Sequence, residues 1–127
     1  MILGLDMDNT ITKAPEFFSV LSRTIKGKGG RVYVVSSRSN THDVLKATKS
    51  ELDTLGIHYN DVFLLPDGEA DRLPCPYGDF LDDYQAYLWQ KVRICIDHKV
   101  TVFFDDDDKV IELFRVYAPD IQVFHVL

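Results

Sequence analysis

The first ten residues, MILGLDMDNT (1–10), contain the pattern that most strongly predicts the fold and the site. An apolar run, Ile2–Leu5, ends in two acids one residue apart, Asp6 and Asp8, and Thr10 follows at the same spacing. A short apolar run that stops at polar residues predicts a buried strand. Acids directly after such a strand lie at the edge of the sheet where α/β proteins bind ligands. A lone Asp in this position often only caps a helix, but the spacing of two acids and a threonine favours a site.

The rest of the chain alternates between strand and helix patterns. Strands are predicted at residues 32–35, 62–65, 100–104 and 121–126, with helices at residues 17–25, 44–55, 79–98 and 110–117. Residues 66–78 contain three prolines and two glycines and predict a loop. Continuous apolar strands between amphipathic helices predict a three-layer α/β/α Rossmann-like fold around a parallel five-stranded sheet. We expect a single domain over residues 1–127 with no cap domain.

The composition argues against several classes of protein. With 127 residues, 46% of them hydrophobic, the chain suits one domain with a real core. It has no apolar stretch approaching the roughly 20 residues that span a bilayer, and no basic region opens the N-terminus. Cys75 and Cys95 are far apart, which favours a reducing cytoplasm over a disulfide framework. The net charge of −6 disfavours a broad nucleic-acid surface but is compatible with a local basic patch.

Three polar groups should meet at one edge of the sheet, because each follows a predicted strand. They are Asp6 to Thr10, Ser36 to Arg38, and the acidic run at residues 105–108. Converging carboxylates repel one another, and a hard cation such as Mg²⁺ would neutralise them. Taken alone, the serine is compatible with an ordinary turn and the acidic run with a solvated loop.

Three segments resemble motifs of the haloacid dehalogenase (HAD) superfamily of phosphatases. LDMDNT (5–10), VYVVSS (32–37) and TVFFDDDD (101–108) are similar to its first, second and fourth motifs, in the right order over essentially the whole chain. A looser similarity links residues 89–110 and the Ser-Ser-Arg segment (36–38) to the phosphatase domain of polynucleotide kinase-phosphatases.

The resemblance implies roles for four acids. Asp6 would attack phosphorus and form an aspartyl-phosphate. Asp8 would act as general acid and then general base. Mg²⁺ would be held by the Asp6 side chain, the Asp8 backbone carbonyl and the Asp106 side chain, with Asp105 supporting the metal shell.

The resemblance also assigns residues that bind the phosphate. Thr10 would orient the region of Asp8, and Ser36 would bind the transferring phosphoryl group. Ser37 and Arg38 would complete the phosphate-binding turn, where the guanidinium could hold a second anionic group.

The lysine of the third motif has two candidates. Lys91, on the predicted helix 79–98, is the one we favour for balancing the charges of phosphate and nucleophile. Lys99, just before the fourth strand, better fits a solvated turn.

A capless build predicts an open site. We expect a small phosphomonoester as substrate, hydrolysed with Mg²⁺, and a partner subunit could supply a lid. A nucleic-acid end carrying a 3′-phosphate is the alternative substrate, and it predicts a steep salt dependence.

Two hypotheses from another functional class are alternatives to a phosphatase. A two-component receiver domain is also a small acidic α/β domain, but it needs a phosphoacceptor Asp at the end of the third strand. That strand ends here in Leu64-Leu65-Pro66, and Asp67 comes too late. A non-catalytic HAD-like phosphate-binding domain is the other reading, and the presence of Asp8 argues against it.

Overall fold

The computed structural model describes residues 1–68 and 70–127 and has an α/β fold. Strands and helices alternate along these residues, and a helical turn, Met7–Ile11, follows the first strand. The elements are β1 (Ile2–Leu5), α1 (Pro15–Gly27), β2 (Arg31–Ser39), α2 (His42–Thr54), β3 (Asp61–Leu65), α3 (Asp83–Asp97), β4 (Val102–Asp105), α4 (Asp108–Tyr117) and β5 (Gln122–His125).

The sheet has five strands in the order β3-β2-β1-β4-β5, and every neighbouring pair is parallel. The chain moves outward from β1 to β3 and then returns to the other side of β1 with β4. This reversal opens a crevice between the carboxyl ends of β1 and β4, where α/β sheets bind their ligands. Receiver domains use the order 2-1-3-4-5 instead, so the topology argues against that alternative.

The two faces of the sheet are covered by different helix pairs. Leu3 and Leu5 of β1 pack with Phe18 of α1 and Leu52 of α2 in one core cluster. A second cluster joins β4 to α3 and α4 on the opposite face. The predicted three-layer fold with a parallel five-stranded sheet is therefore confirmed.

Gly4 shows how tightly β1 is packed between its neighbours. A Cβ atom at this position would lie 2.7 Å from the ring of Phe103 on β4. Only glycine allows the aromatic ring to cover this part of β1. The strand that leads to Asp6 is thus closely packed against Phe103 on this face.

Two strand boundaries differ from the sequence prediction in ways that affect the site. β2 continues beyond residue 35, because Ser36 pairs with Leu64 and, after an irregularity, Ser39 pairs with Leu65. The Ser36 to Arg38 segment therefore lies within a strand and not after it. β4 begins at Val102 and includes Asp105 as its last residue.

The remaining predicted features are found close to their expected positions. The predicted loop 66–78 forms part of the connection between β3 and α3, and the helix predicted from residue 79 begins later, at Asp83; residue 69 lies outside the described residues. No helix in the described part of the chain is both long and apolar enough to cross a bilayer.

Candidate functional site

Asp6 lies directly beyond β1 and is fixed by backbone pairing. Its N–H donates to the carbonyl oxygen of Phe104 at 3.0 Å, so the contact between β1 and β4 extends to this residue. Its side chain is buried, and the Thr10 hydroxyl donates to Asp6 Oδ2 at 3.0 Å. Thr10 was expected to orient the region of Asp8. Its hydroxyl hydrogen-bonds to Asp6 instead, because the turn brings residues 6 and 10 together.

Lys91 is the central cation of the site. It lies in the interior of α3, is 2% exposed, and its Nζ donates to Asp6 Oδ1 at 2.9 Å and to Asp105 Oδ2 at 2.8 Å. Burial alone would lower the pKa of Lys91, but the two carboxylates raise it above its ordinary value. The ammonium therefore stays charged. Lys99 is exposed with φ 57°, as expected of a turn residue.

The four consecutive acids after β4 have four different environments. Asp105 is fully buried, with Oδ2 on Lys91 and Oδ1 accepting from the N–H of Asp107 at 3.0 Å. Asp106 is half-buried and faces Asp6. Asp107 caps α4 by accepting from the N–H of Lys109 at 2.9 Å, and Asp108 begins the helix in solvent. The run is thus a strand end, a site residue, a helix cap and a surface acid.

Asp6 and two of these four acids form a group that could hold a metal ion. Asp6, Asp105 and Asp106 each offer one oxygen within 4.8 Å of the others. Burial and the nearby Asp6 carboxylate raise the pKa of Asp106 to about 6, and burial raises that of Asp105. Lys91 is one cation facing three acids, so two negative charges remain when all are ionised. Such a cluster of oxygen ligands suits a hard divalent cation.

Asp8 lines the same cleft as that acidic group, and its side chain is paired with Arg38. The backbone is extended at Asp8 and left-handed at Asn9 (φ 59°). Arg38 grips Asp8 with two hydrogen bonds, Nε to Oδ2 at 2.9 Å and Nη2 to Oδ1 at 2.7 Å. These bonds keep the pKa of Asp8 below its usual value. The Arg38 Nη1 donates to Thr48 and to Glu51, each at 3.0 Å.

The two serines of β2 face different surroundings. Ser36 is buried, and its Oγ accepts from the N–H of Arg38 at 3.2 Å. Ser37 lines the cleft that contains Asp6, and its carbonyl accepts from the Tyr87 hydroxyl at 2.9 Å. Alternation along the extended strand explains why neighbouring serines point to opposite sides. The structure therefore places Ser37, and not Ser36, on the cleft wall.

These groups surround an open cleft of about 490 Å³ at the carboxyl edge of the sheet. Only residues 12–14 separate the first turn from α1, and residues 66–82 separate β3 from α3. The cleft is lined by Asp6, Asp8, Asn9, Ser37, Leu88, Lys91, Asp105, Asp106, Asp107, Asp108 and Lys109.

Several residues that contact the site were not predicted from the sequence. Thr48 and Glu51 lie three positions apart on one face of α2, a spacing that indicates a shared partner but not which one. Tyr87 contacts the backbone of Ser37 from α3, and burial raises its pKa to about 12. His125 places Nε2 at 2.9 Å from the carbonyl oxygen of Asp106. No local motif marks these residues, because each acts across a large separation in sequence.

Known proteins were compared with the chain by sequence and by structure. No protein-family model matches the chain, and no curated protein matches its sequence. A chain of the Pnkp1/Rnl/Hen1 RNA repair complex has the same fold with a TM-score of 0.65 at 14% identity, over 98% of this chain and 42% of that one. A chain of a second Pnkp1/Rnl/Hen1 complex gives a TM-score of 0.63 at 15% identity, over 98% and 45%. This chain spans less than half the length of these neighbours, and the likeness shows a shared fold.

Proposed function

We propose that this chain is a Mg²⁺-dependent phosphomonoester hydrolase of the HAD type, built as one capless domain. The observation that carries the proposal is the Asp6 carboxylate. It lies buried at the base of an open cleft, fixed by Lys91 and Thr10, with Asp106 beside it. A fixed carboxylate at the carboxyl end of a central strand is well placed to act as a nucleophile.

Asp6 would attack the phosphorus atom of the substrate. The new bond joins a carboxylate oxygen to phosphorus while the bond to the leaving oxygen breaks, which gives an aspartyl-phosphate. Water then attacks phosphorus, releases phosphate and restores the carboxylate. Lys91 keeps the nucleophile in position and offsets part of the negative charge that a phosphate brings.

Asp8 would move the protons in both steps. After it leaves Arg38 and takes up a proton from solvent, it would donate that proton to the leaving oxygen in the first step and accept one from the attacking water in the second. Its side chain is 56% exposed at the cleft wall and paired with Arg38, so it must leave the guanidinium to reach the substrate.

The acidic group fits Mg²⁺, which prefers oxygen ligands and keeps several waters. Asp6 and Asp106 would hold the ion together with the backbone carbonyl of Asp8, and Asp105 would support them through Lys91. When bound, the ion neutralises the carboxylates and stabilises charge on the phosphoryl oxygens.

The open cleft supports a small phosphomonoester as substrate, and Ser37 is the serine placed to donate to its phosphate. A polynucleotide end with a 3′-phosphate is the second candidate. The two neighbours of this fold in RNA repair complexes favour it, and a partner subunit in such an assembly could cover the cleft.

Trapping the covalent intermediate tests the proposal. The purified chain is mixed with Mg²⁺ and radiolabelled phosphomonoester, quenched in acid and digested. Label should appear on the peptide that contains Asp6, and the Asp6→Asn variant should carry none. The same experiment is run in parallel with nucleotides, sugar phosphates and 3′-phosphorylated oligonucleotides as substrates. Rapid turnover without label on this peptide would refute the nucleophile.

A further inference from the structure

The Arg38 side chain is held from two sides. Its Nε and Nη2 atoms bind both oxygens of Asp8, while Nη1 binds Thr48 and Glu51 of α2. Thr48 is fully buried, and the Arg38 side chain is 22% exposed. The contacts to α2 do not depend on Asp8. The guanidinium would therefore stay in place if Asp8 moved.

Asp8 is the more exposed and less supported member of this pair. Its carboxylate is more exposed than the guanidinium, and apart from Arg38 no described side chain donates to it. Both of its oxygens accept from Arg38, so a substrate that uses Asp8 in this state must compete with the guanidinium. Release of Asp8 would expose the Nε and Nη2 edge of Arg38 next to the cleft.

That edge has the geometry for a second anion. The planar fork that binds a carboxylate with two hydrogen bonds also matches two oxygens of a phosphate, a phosphodiester or another carboxylate. A second anionic group on the substrate would thus compete directly with Asp8 for the same two donors.

We propose that Arg38 is an exchangeable anion site, which holds Asp8 in the free protein and releases it when the second anionic group of a substrate takes its place. This rests on the proposed function and names its substrate class: phosphomonoesters that carry another negative group near the scissile phosphate. Such substrates bind Arg38 and free Asp8 in one step. Phosphomonoesters without that group leave Asp8 paired and are turned over slowly when their leaving group needs protonation.

Binding to a non-reacting protein tests the exchange without turnover. In an Asp6→Asn background, calorimetry compares adenosine 3′,5′-bisphosphate with adenosine 3′-monophosphate, which differ by one phosphate. The bisphosphate should bind about tenfold or more tightly, as expected of a charge-assisted bidentate contact. Arg38→Gln should abolish that preference. Glu51→Gln should reduce it, and Glu112→Gln on the exposed face of α4 should not change it.

If Asp8 and the second anionic group compete for Arg38, then removing the Asp8 carboxylate should have a defined effect on binding. Adding Asp8→Asn to the same background removes the internal anion, so affinity for the bisphosphate should rise while affinity for the monophosphate stays the same. A purely structural ion pair would give no such selective gain. Equal affinity for the two nucleotides, a preference that survives Arg38→Gln, or no gain from Asp8→Asn would each overturn the inference.

The outcome is separable from that of the proposed function. If no phosphomonoester is hydrolysed but the bisphosphate preference follows Arg38, the anion site stands and the hydrolase proposal falls. If phosphomonoesters are hydrolysed with no preference for a second anion, the hydrolase stands and the exchange falls.

Discussion

Replacing Lys91 by Met would leave two buried carboxylates without their cation. Methionine has a similar length, so little volume is lost, but Asp6 and Asp105 lose contacts of 2.9 and 2.8 Å. Removing one partner of a buried ion pair costs about 3–5 kcal/mol, because the remaining charge is not compensated. Against a typical total stability of about 5–15 kcal/mol, we expect a large loss that leaves the chain only just folded at neutral pH.

The loss should depend on pH in a defined direction. Burial already raises the pKa of Asp105, and Lys91 opposes that effect, so Lys91→Met raises this pKa further above its unfolded value. A carboxyl with a raised folded-state pKa contributes stability at low pH and loses it as pH rises through that pKa. The deficit of the variant relative to the wild type should therefore shrink as the pH falls from about 7 to about 5.

Urea denaturation followed by circular dichroism measures both effects. Lys46→Met on the exposed face of α2 is the matched control and should change stability by less than about 0.5 kcal/mol. A Lys91→Met deficit under about 1 kcal/mol would show that the ion pair is weak or easily solvated. A deficit that is the same at both pH values would refute the argument about Asp105.

Further predictions concern the chemistry of the cleft. Asp106→Ala should weaken Mg²⁺ activation far more than Asp108→Ala, measured as the Mg²⁺ concentration at half-maximal activity; equal effects would mean that the wrong acid has been assigned. Because the pKa of Asp106 is raised to about 6, protons should compete with the metal, and Mg²⁺ affinity by calorimetry should fall as pH drops below 6 and stay level above 7. Asp8→Asn should slow hydrolysis of alkyl phosphates that carry a second anionic group about 10²-fold or more but affect formation of the intermediate from nitrophenyl phosphate much less, since that leaving group needs little protonation. Ser37→Ala should raise KM for phosphomonoesters more than Ser36→Ala, and the reverse order would return the phosphate contact to Ser36.

The sequence predicted the structure correctly where a local pattern controls it. β1 ends where the apolar run ends, and its acids lie at the predicted sheet edge, because parallel strands bring their carboxyl ends together. Lys91 was the favoured of two candidates for the lysine of the third family motif. Its burial and its two ion pairs come from the packing of α3 against the sheet, which no local pattern encodes.

The features that the sequence did not predict are set by distant contacts. The pairing of Ser36 with β3 lengthens β2, and alternation then turns Ser37 toward the cleft. The bidentate pair between Asp8 and Arg38 spans 30 positions, and Glu51 supports it from another helix. Charges that attract across such separations cannot be matched from composition or spacing alone.

Steady-state phosphate release tests the central claim most directly. Wild type and a folded Asp6→Asn variant are assayed with nitrophenyl phosphate and with a set of natural phosphomonoesters, in Mg²⁺ and in EDTA. We predict many turnovers for the wild type in Mg²⁺, loss in EDTA that Mg²⁺ reverses, and no turnover by Asp6→Asn. No release by the wild type from any substrate, or substantial release by the folded variant, would contradict the assignment of Asp6 as the nucleophile of a phosphatase.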